Sequence, residues 1–189
     1  MNNISMAELM AALPHVLAAP KDDAPIHDLC LRPSYGTRNF PASITMTRDG
    51  GILGDRWAVA PWLRLADGRP DPRIQVSILP VRVMDLVWRD RENTPHPGDP
   101  IVADLDCGLQ NLPVGSLIAA GSAVLRVTDV FNDACVKWML RYGQDAKDLV
   151  TAPGHPALRL RGILCAVHTD GVVTRSDRLR VLSRRPTTP

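Results

Sequence analysis

Residues 101–130 have the sequence IVADLDCGLQNLPVGSLIAAGSAVLRVTDV, and this stretch decides the fold class. Three short apolar runs within it, Ile101–Ala103, Leu117–Ala120 and Ala123–Val130, are separated by turns that contain glycine and proline. Apolar runs of this length between turn residues are typical of strands. We therefore predict that they are strands of one barrel.

Short runs of the same kind continue on both sides of this stretch. The segments that we predict as further strands are Ile26–Arg32, Ala42–Thr47, Ile74–Leu79, Gly162–His168 and Leu179–Leu182. The composition agrees, because 17 prolines and 13 glycines among 189 residues favour many short elements joined by turns. The sequence therefore predicts a mainly β protein.

Four short helices are also predicted. Ser5 and Glu8 have the spacing of a capping box, and the apolar residues that follow repeat at helical spacing as far as Pro14. Asp133 is expected to cap a helix that carries Cys135 near its start. The remaining predicted bounds are Val81–Trp88, an end near Tyr142 for the Asp133 helix, and Gln144–Val150.

Charge, targeting signals and cysteine spacing limit the classes of function. Lysine and arginine total 22 and aspartate and glutamate total 20, so the net charge of +2 provides no global field for nucleic acid or an anionic membrane. We expect a small-molecule partner, and the oligomeric state stays open. The sequence contains no secretory signal, membrane span or C-x-x-C pair. These features predict a reduced, cytoplasmic protein.

Cys135 is the most suggestive single residue, because it falls near the start of a predicted helix. Unpaired backbone N–H groups and the helix dipole stabilise a thiolate at such a position, and Lys137 and Arg141 are close in sequence. A stabilised thiolate is a good metal ligand or sulfur carrier. The alternative is a buried structural cysteine that packs as a small apolar side chain.

Gly54-Asp55-Arg56 places a carboxylate and a guanidinium directly after a glycine turn. Such a guanidinium can bind an anionic oxygen through two hydrogen bonds, and the same pair can instead be a structural ion pair. Further arginines that lie beside turns or strand ends are Arg32, Arg38, Arg73, Arg159 and Arg161. If several converge, they form a pocket for a phosphate; otherwise they are solvated surface residues.

The five histidines do not have the spacing of a metal site, and no dinucleotide, P-loop or serine-hydrolase motif occurs. A cysteine hydrolase would need a base such as His155 or His168 beside Cys135 in space. No spacing in the sequence requires that arrangement, so it stays an alternative.

The order of five segments resembles the MOSC family, which is named after the C-terminal domain of molybdenum cofactor sulfurases. The segments are RPSYGTR (32–38), GGILGDRW (50–57), RIQVSILPVRV (73–83), GLQNLPVGSLIAAGSAVLRVTDVFNDACVKWMLRYGQDA (108–146) and LRLRGILCAVHTDGVV (158–173). Gly54–Trp57 matches the family's G-D-R-[HW] motif, and Asn111–Gly115 matches its N-L-P-x-G turn. Gly121–Leu125 matches its G-x-A-x-L strand, and the family's cysteine falls on Cys135. The matching segments extend from about Ile26 to Leu182.

The resemblance implies a mainly β fold, a MOSC-type closed β-barrel with a few peripheral short α-helices. It divides the chain into an N-terminal helix and linker over residues 1–25, a MOSC domain over residues 26–183 and a disordered tail over residues 184–189.

The resemblance also implies binding of molybdenum cofactor (molybdopterin), with Cys135 as the catalytic residue that ligates molybdenum or carries sulfur. The residues expected to contact the cofactor are Asp55, Arg56, Asn111, Lys137 and Arg161. Reduction of N-hydroxylated compounds is one activity of the family. Pyridoxal phosphate is associated with members fused to a cysteine desulfurase, which this sequence lacks. We therefore expect sulfur or electrons to come from a separate donor protein.

Three positions depart from the family pattern. Residues 131–134 (FNDA) replace a segment that often contains a histidine before the cysteine, Gln110 replaces a glutamate, and Ser176-Asp177 replaces a glycine-aspartate turn. The missing histidine removes a proton donor. The alternative interpretation is therefore a diverged, non-catalytic binding module that keeps the barrel.

Overall fold

Seven strands form a closed barrel in the computed structural model, which describes residues 3–184. In the order of hydrogen-bonded neighbours the strands are β1 (Ala24–Leu29), β10 (Arg178–Ser183), β6 (Leu117–Ala120), β7 (Ala123–Val127), β8 (Ile163–Thr169), β4 (Val76–Pro80) and β5 (Ile101–Ala103). Strand β5 pairs with β1 and closes the ring. The pair β4 and β5 is parallel, and the other neighbours are antiparallel. The prediction of a mainly β closed barrel is confirmed.

A second, three-stranded sheet packs against the barrel. Its order is β3 (Gly51–Ile52), β2 (Ser43–Thr47) and β9 (Gly171–Thr174). The side chains of Ile44 and Val173, which face each other across this sheet, belong to the same buried cluster as the barrel interior. Of these strands, only β2 is predicted from the sequence.

Among residues 3–184, four α-helices pack on the outside of the barrel. Their bounds are α1 (Met6–Leu17), α2 (Val81–Val87), α3 (Val136–Tyr142) and α4 (Gln144–Thr151). Strand β4 shows how two apolar layers arise, because all five of its residues are buried. Ile78 packs into the barrel, whereas the adjacent Leu79 joins the apolar layer beneath the helices. This alternation follows from the two-residue period of a strand.

Helix α1 begins at the predicted capping box and ends later than predicted. The Ser5 hydroxyl accepts from the backbone N–H of Glu8, and the Glu8 carboxylate accepts from the backbone N–H of Ser5 at 2.8 Å. The predicted end at Pro14 is wrong, because the helix continues to Leu17. A proline inside a helix removes one backbone hydrogen bond and crowds the carbonyl four residues earlier, but the next turn forms here, because Ala18 N–H donates to the Pro14 carbonyl.

The N-terminal helix packs onto the barrel through the apolar layer beneath the helices. Helix α1 packs against α2 and α4, and β1 begins at Ala24, inside the predicted linker. At the other end of the chain, Arg184 donates to the Asn111 amide oxygen at 3.1 Å and to the Lys21 carbonyl at 2.8 Å. Arg184 is therefore held in place, although it was predicted to begin a disordered tail. Residues 185–189 of that tail lie outside the described residues.

None of the helices between residues 3 and 184 combines the length and the apolar character that a bilayer crossing requires.

Candidate functional site

A cavity of about 420 Å³ opens at one end of the barrel. The segments that follow β1 and β7 meet there with the segments that precede β5 and β8. The cavity is rich in positive side chains, which are Arg32, Arg38, Arg56, Lys137, Arg141 and Arg161. It also contains the exposed Cys135. The cavity thus combines a concentration of positive charge, which attracts anions, with a reachable sulfur atom.

Cys135 occupies the N-cap position of α3. Its carbonyl accepts from the backbone N–H groups of Trp138 and Met139 at 2.9 and 3.3 Å, so the thiol lies beside the first turn. The residue before it, Ala134, is buried and has a left-handed backbone with φ of 60°. This reversal separates Asp133 from the helix. The prediction that Asp133 caps the helix is therefore wrong, and no side chain caps α3.

Two of the cavity arginines are held by buried carboxylates. Arg32 donates from Nε and Nη2 to the two Asp55 oxygens at 2.9 and 3.0 Å, and the Asp55 side chain is 0% exposed. Arg161 donates from Nη1 to Asp99 Oδ1 at 2.9 Å. Such hydrogen-bonded pairs fix the positions of the guanidinium groups. The cavity wall therefore has a rigid cationic part.

The other four cations of the cavity make no ion pair with a carboxylate in the part of the chain that the structure describes. They are Arg38, Arg56, Lys137 and Arg141. Arg56 and Lys137 lie 4.5 and 4.9 Å from the centre of the Tyr35 ring, one cation–π contact each. Their positive charge remains available to an incoming anion.

Arg38 is the most constrained of these four. Its Nη1 donates to the Gly36 carbonyl at 3.1 Å, but its buried Nε has no hydrogen-bond partner among residues 3–184. Burial lowers the pKa of Arg38, and the positive charge of the neighbouring Arg141 lowers it further. An anion between the two guanidinium groups would satisfy the free N–H and relieve the repulsion.

Neither a family model nor a curated protein matches the sequence. Solved structures match the fold. The YuaD protein from Bacillus subtilis aligns with a TM-score of 0.59 at 22% identity, over 84% of this chain and 94% of that one. YiiM from Escherichia coli aligns with a TM-score of 0.56 at 16% identity, over 86% and 70% of the two chains. YiiM from Geobacillus stearothermophilus gives 0.55 at 14% identity, over 85% and 76%.

The fold is MOSC-like. Within this MOSC-like fold, Arg56, Cys135, Lys137 and Arg161 line a single cavity, although they are far apart in sequence. The structure thus brings together four of the residues that the family resemblance selects. Their roles in binding or chemistry remain predictions.

Asp55 does not line this cavity of the MOSC-like fold. Its carboxylate is enclosed behind Arg32 and also accepts from the backbone N–H groups of Arg32 and Trp57, at 3.1 and 2.9 Å. The Asp55 carboxylate therefore accepts its hydrogen bonds from groups of the protein itself. Asp55 therefore positions Arg32, whereas the sequence predicted a direct contact with cofactor.

Asn111 also lies away from the cavity. Its side-chain amide donates to the carbonyls of Lys21 and Asp106 at 3.0 and 2.8 Å, and its oxygen accepts from Arg184. These bonds fix the turn before β6. The structure therefore does not support the predicted cofactor contact at Asn111. The motif that selected this residue specifies the backbone of a turn, and such a motif does not by itself indicate a ligand contact.

The arginines that were expected to converge divide into two groups. Arg32, Arg38, Arg56 and Arg161 reach the cavity, as described above, whereas two do not. Arg73 pairs with Asp71, with 2.7 Å between Nη2 and Oδ2, and Arg159 donates to the Leu112 carbonyl at 2.6 Å. The position of an arginine beside a turn therefore predicts only in part whether it reaches the cavity.

Arg141 and Asp99 also line the cavity, although neither was selected as a contact from the sequence. The position of Arg141 near Cys135 gave a signal for the first. Asp99 lies in a segment that resembles an ordinary polar loop, and its partner Arg161 is 62 residues away. No local pattern could have identified it.

The two histidines considered for a cysteine hydrolase lie outside the cavity. His155 is buried and its Nδ1 contacts the Leu149 carbonyl, while His168 Nδ1 contacts Arg126 at 3.0 Å. A hydrolase needs its base within hydrogen-bond distance of the thiol. The structure therefore gives the hydrolase interpretation no support.

Proposed function

We propose that this chain binds molybdenum cofactor in its cationic cavity, with Cys135 as the thiol that ligates the metal. One observation carries the proposal: four cations without a carboxylate partner in residues 3–184 share a cavity with the exposed sulfur of Cys135. An unneutralised cationic cavity favours an anionic occupant, and thiolate is a ligand suited to a soft metal centre.

The residues of the cavity fit the chemical groups of this cofactor. A volume of about 420 Å³ is within the range of small-molecule sites. The free Arg38 Nε is a donor for phosphate oxygens, and one oxygen of Asp99 is an acceptor for ring N–H groups. The cavity thus offers a donor for the phosphate, an acceptor for the pterin ring and a thiol for the metal.

Each residue has a part in this proposal that its surroundings support. Arg38 and Arg141 would hold the phosphate, because neither is neutralised by a carboxylate. Lys137 lines the same cavity as Cys135 and would attract the anionic groups of the cofactor towards the thiol. When bound, the cofactor would supply a molybdenum centre for redox or oxygen-atom transfer, and reduction of N-hydroxylated compounds is the activity we would assay first.

Sulfur transport is the second candidate function, and the exposure of Cys135 favours it. A thiol at a helix start that is open to solvent can be reached by the active site of a donor protein. A sulfur carrier needs no stable cofactor. Tryptic mass spectrometry separates the two functions, because a persulfide adds one sulfur atom to the peptide that contains Cys135.

The proposal is tested by the metal and pterin content of the purified protein. The wild type, Cys135→Ser and Arg38→Met are produced in a host that makes molybdenum cofactor, and molybdenum and oxidised pterin are measured. Molybdenum and pterin should co-purify with the wild type, and Arg38→Met should retain less than about a tenth, because a charge-assisted hydrogen bond contributes about 1.5–3 kcal/mol.

Arg175→Met is the matched control. Arg175 is an exposed arginine in the turn between β9 and β10, away from the cavity. Its replacement should leave both contents unchanged. A wild type that contains neither molybdenum nor pterin under these conditions contradicts the proposal, and a diverged binding module then becomes the better interpretation.

A further inference from the structure

Two carboxylates line the cationic cavity, the exposed Asp133 and the deeply buried Asp99. The Asp99 side chain is 3% exposed. Oδ1 accepts from Arg161, but Oδ2 has no hydrogen-bond partner among the described residues. Buried carboxylate oxygens in proteins are almost always paired, because an unpaired one loses its hydration without compensation. The free Oδ2 therefore needs an explanation.

The surroundings of Asp99 keep it negatively charged. Burial raises the pKa of Asp99, but the opposing effects of its neighbours, led by the charge and hydrogen bond of Arg161, together outweigh burial, so the net shift is downward. Arg32 lowers the pKa further, and the Ser77 hydroxyl also favours the charged form without reaching Oδ2 in hydrogen-bond geometry. A charged acceptor that cannot donate is thus held ready on one side of the cavity.

The cavity also holds the complementary free group. Arg38 Nε is a buried donor without a partner in residues 3–184, and a methyl group added to Gly98 would lie 3.2 Å from it. Gly98 directly precedes Asp99, so the free donor and the free acceptor belong to neighbouring parts of one wall. A simple anion would satisfy only the donor.

We infer that Asp99 determines ligand specificity by accepting a hydrogen bond from an N–H group of the ligand. The inference deepens the proposed function and rests on it for the anionic part of the ligand. It defines the ligand class as a planar nitrogen heterocycle with N–H donors on one edge and an anionic substituent. An aromatic anion without N–H groups would bind through the arginines alone.

Two fluorescent probes of like charge test this on the wild-type protein, with no variant needed. Pterin-6-carboxylate has N–H donors and a carboxylate, whereas 2-naphthoate has only the carboxylate. Titrations should show that the pterin binds at least about tenfold more tightly, the factor expected for one hydrogen bond to a charged group. Equal affinities would overturn the inference and indicate that water serves Oδ2.

Asp99→Asn gives a second measurement in which the two probes should respond in opposite directions. The substitution removes a negative charge and half of the acceptor capacity. Pterin-6-carboxylate should bind at least about tenfold more weakly, while 2-naphthoate should bind as well as before or better. If Asp99 only positions Arg161, both probes would weaken together, and the inference would be overturned.

Asp104→Asn is the matched control for this variant. Asp104 likewise forms an ion pair with an arginine, Arg82, through two hydrogen bonds of 2.6 and 3.0 Å, and it lies outside the cavity. Its replacement should change neither affinity. A wild type that binds neither probe would remove the proposed anion site together with the inference, whereas equal binding of both probes removes the inference alone.

Discussion

Arg32 and Asp55 are joined by two parallel hydrogen bonds of 2.9 and 3.0 Å, and the aspartate side chain is closed off from solvent. Asp55 starts the short 3₁₀ turn Arg56–Ala58 by accepting from the Trp57 backbone N–H. One buried carboxylate thus fixes the wall of the cavity and the turn that carries Arg56. The position of the Arg32 guanidinium and the formation of the 3₁₀ turn therefore both depend on Asp55.

Removal of this carboxylate should destabilise the protein strongly. We expect Asp55→Ala to lower the free energy of unfolding by about 3–5 kcal/mol, because it leaves a partly buried guanidinium and backbone N–H groups unpaired. Chemical denaturation measures the loss. Asp67→Ala removes an exposed partner of Arg69 and should cost at most about 1 kcal/mol. Similar losses for the two variants would contradict the assigned role of Asp55.

The barrel could be predicted from the sequence because each strand carries its own signal. Runs such as Leu117–Ala120 are apolar, short and bounded by turns, and the structure has that strand with the predicted bounds. Strands β3 and β9 escaped prediction, since both begin at a glycine, which indicates a turn in a sequence. Both acquire strand structure by pairing with β2, and for β9 that partner is more than 120 residues away in sequence.

The candidate site could be predicted only in part, for a related reason. Cys135 and Arg56 stand out because local motifs surround them, and both reach the cavity. Asn111 belongs to an equally clear motif but serves a turn. Asp99 has no motif, because its importance comes from a buried contact with Arg161 that only the folded barrel creates.

Cys135 should be the cysteine that reacts in the native protein. The other three are buried, and burial raises the pKa of Cys30 to about 11 and of Cys165 to about 12. Only thiolates react rapidly with iodoacetamide. Native labelling near pH 7.5 followed by mass spectrometry should therefore find one modified site, and Cys135→Ser should remove it.

The cationic surroundings of Cys135 should set its labelling rate. Lys137→Gln removes a positive charge from the same helix turn and should slow labelling about twofold to threefold, the size of an exposed charge interaction. Added salt should reduce this difference by screening. Lys147→Gln in α4, outside the cavity, is the control. A rate that Lys137→Gln leaves unchanged would show that the sulfur does not sense the cavity's charge.

Gly162 should be irreplaceable, because two effects coincide there. Its φ of +87° suits glycine, and an added Cβ would lie 2.0 Å from the Ile78 carbonyl oxygen of β4. Gly68 has a similar φ of +84° but open space around it. Gly68→Ala should cost about 1–2 kcal/mol from the backbone alone. Gly162→Ala should exceed that loss by at least about 2 kcal/mol in the same denaturation experiment, and equal losses would contradict the close approach.

His96 supports the cavity loop through its uncharged ring. Nδ1 accepts from the backbone N–H of Gly98 at 3.0 Å, which places the residue before Asp99. The ring is packed edge-on against Phe40 and Trp88. Burial lowers the pKa of His96, opposed by the carboxylates of Asp99 and Asp28 and assisted by Arg38 and Arg91.

The direction of the resulting pH dependence follows from this shift. The unfolded chain binds a proton at His96 more readily than the folded chain does, so the stabilisation is complete above pH 6.5 and is lost as the pH falls towards the folded-state pKa. The contribution of His96 to the free energy of unfolding can change by about 1.4 kcal/mol per pH unit in this range. His96→Asn keeps an acceptor for Gly98 without titrating, and it should flatten the free energy of unfolding measured between about pH 5 and 7. His15 is exposed, so His15→Asn is the control and should leave the pH dependence of the wild type unchanged. If the free energy of unfolding varied with pH in the same way for the wild type and His96→Asn, the loop would not be held by a neutral imidazole.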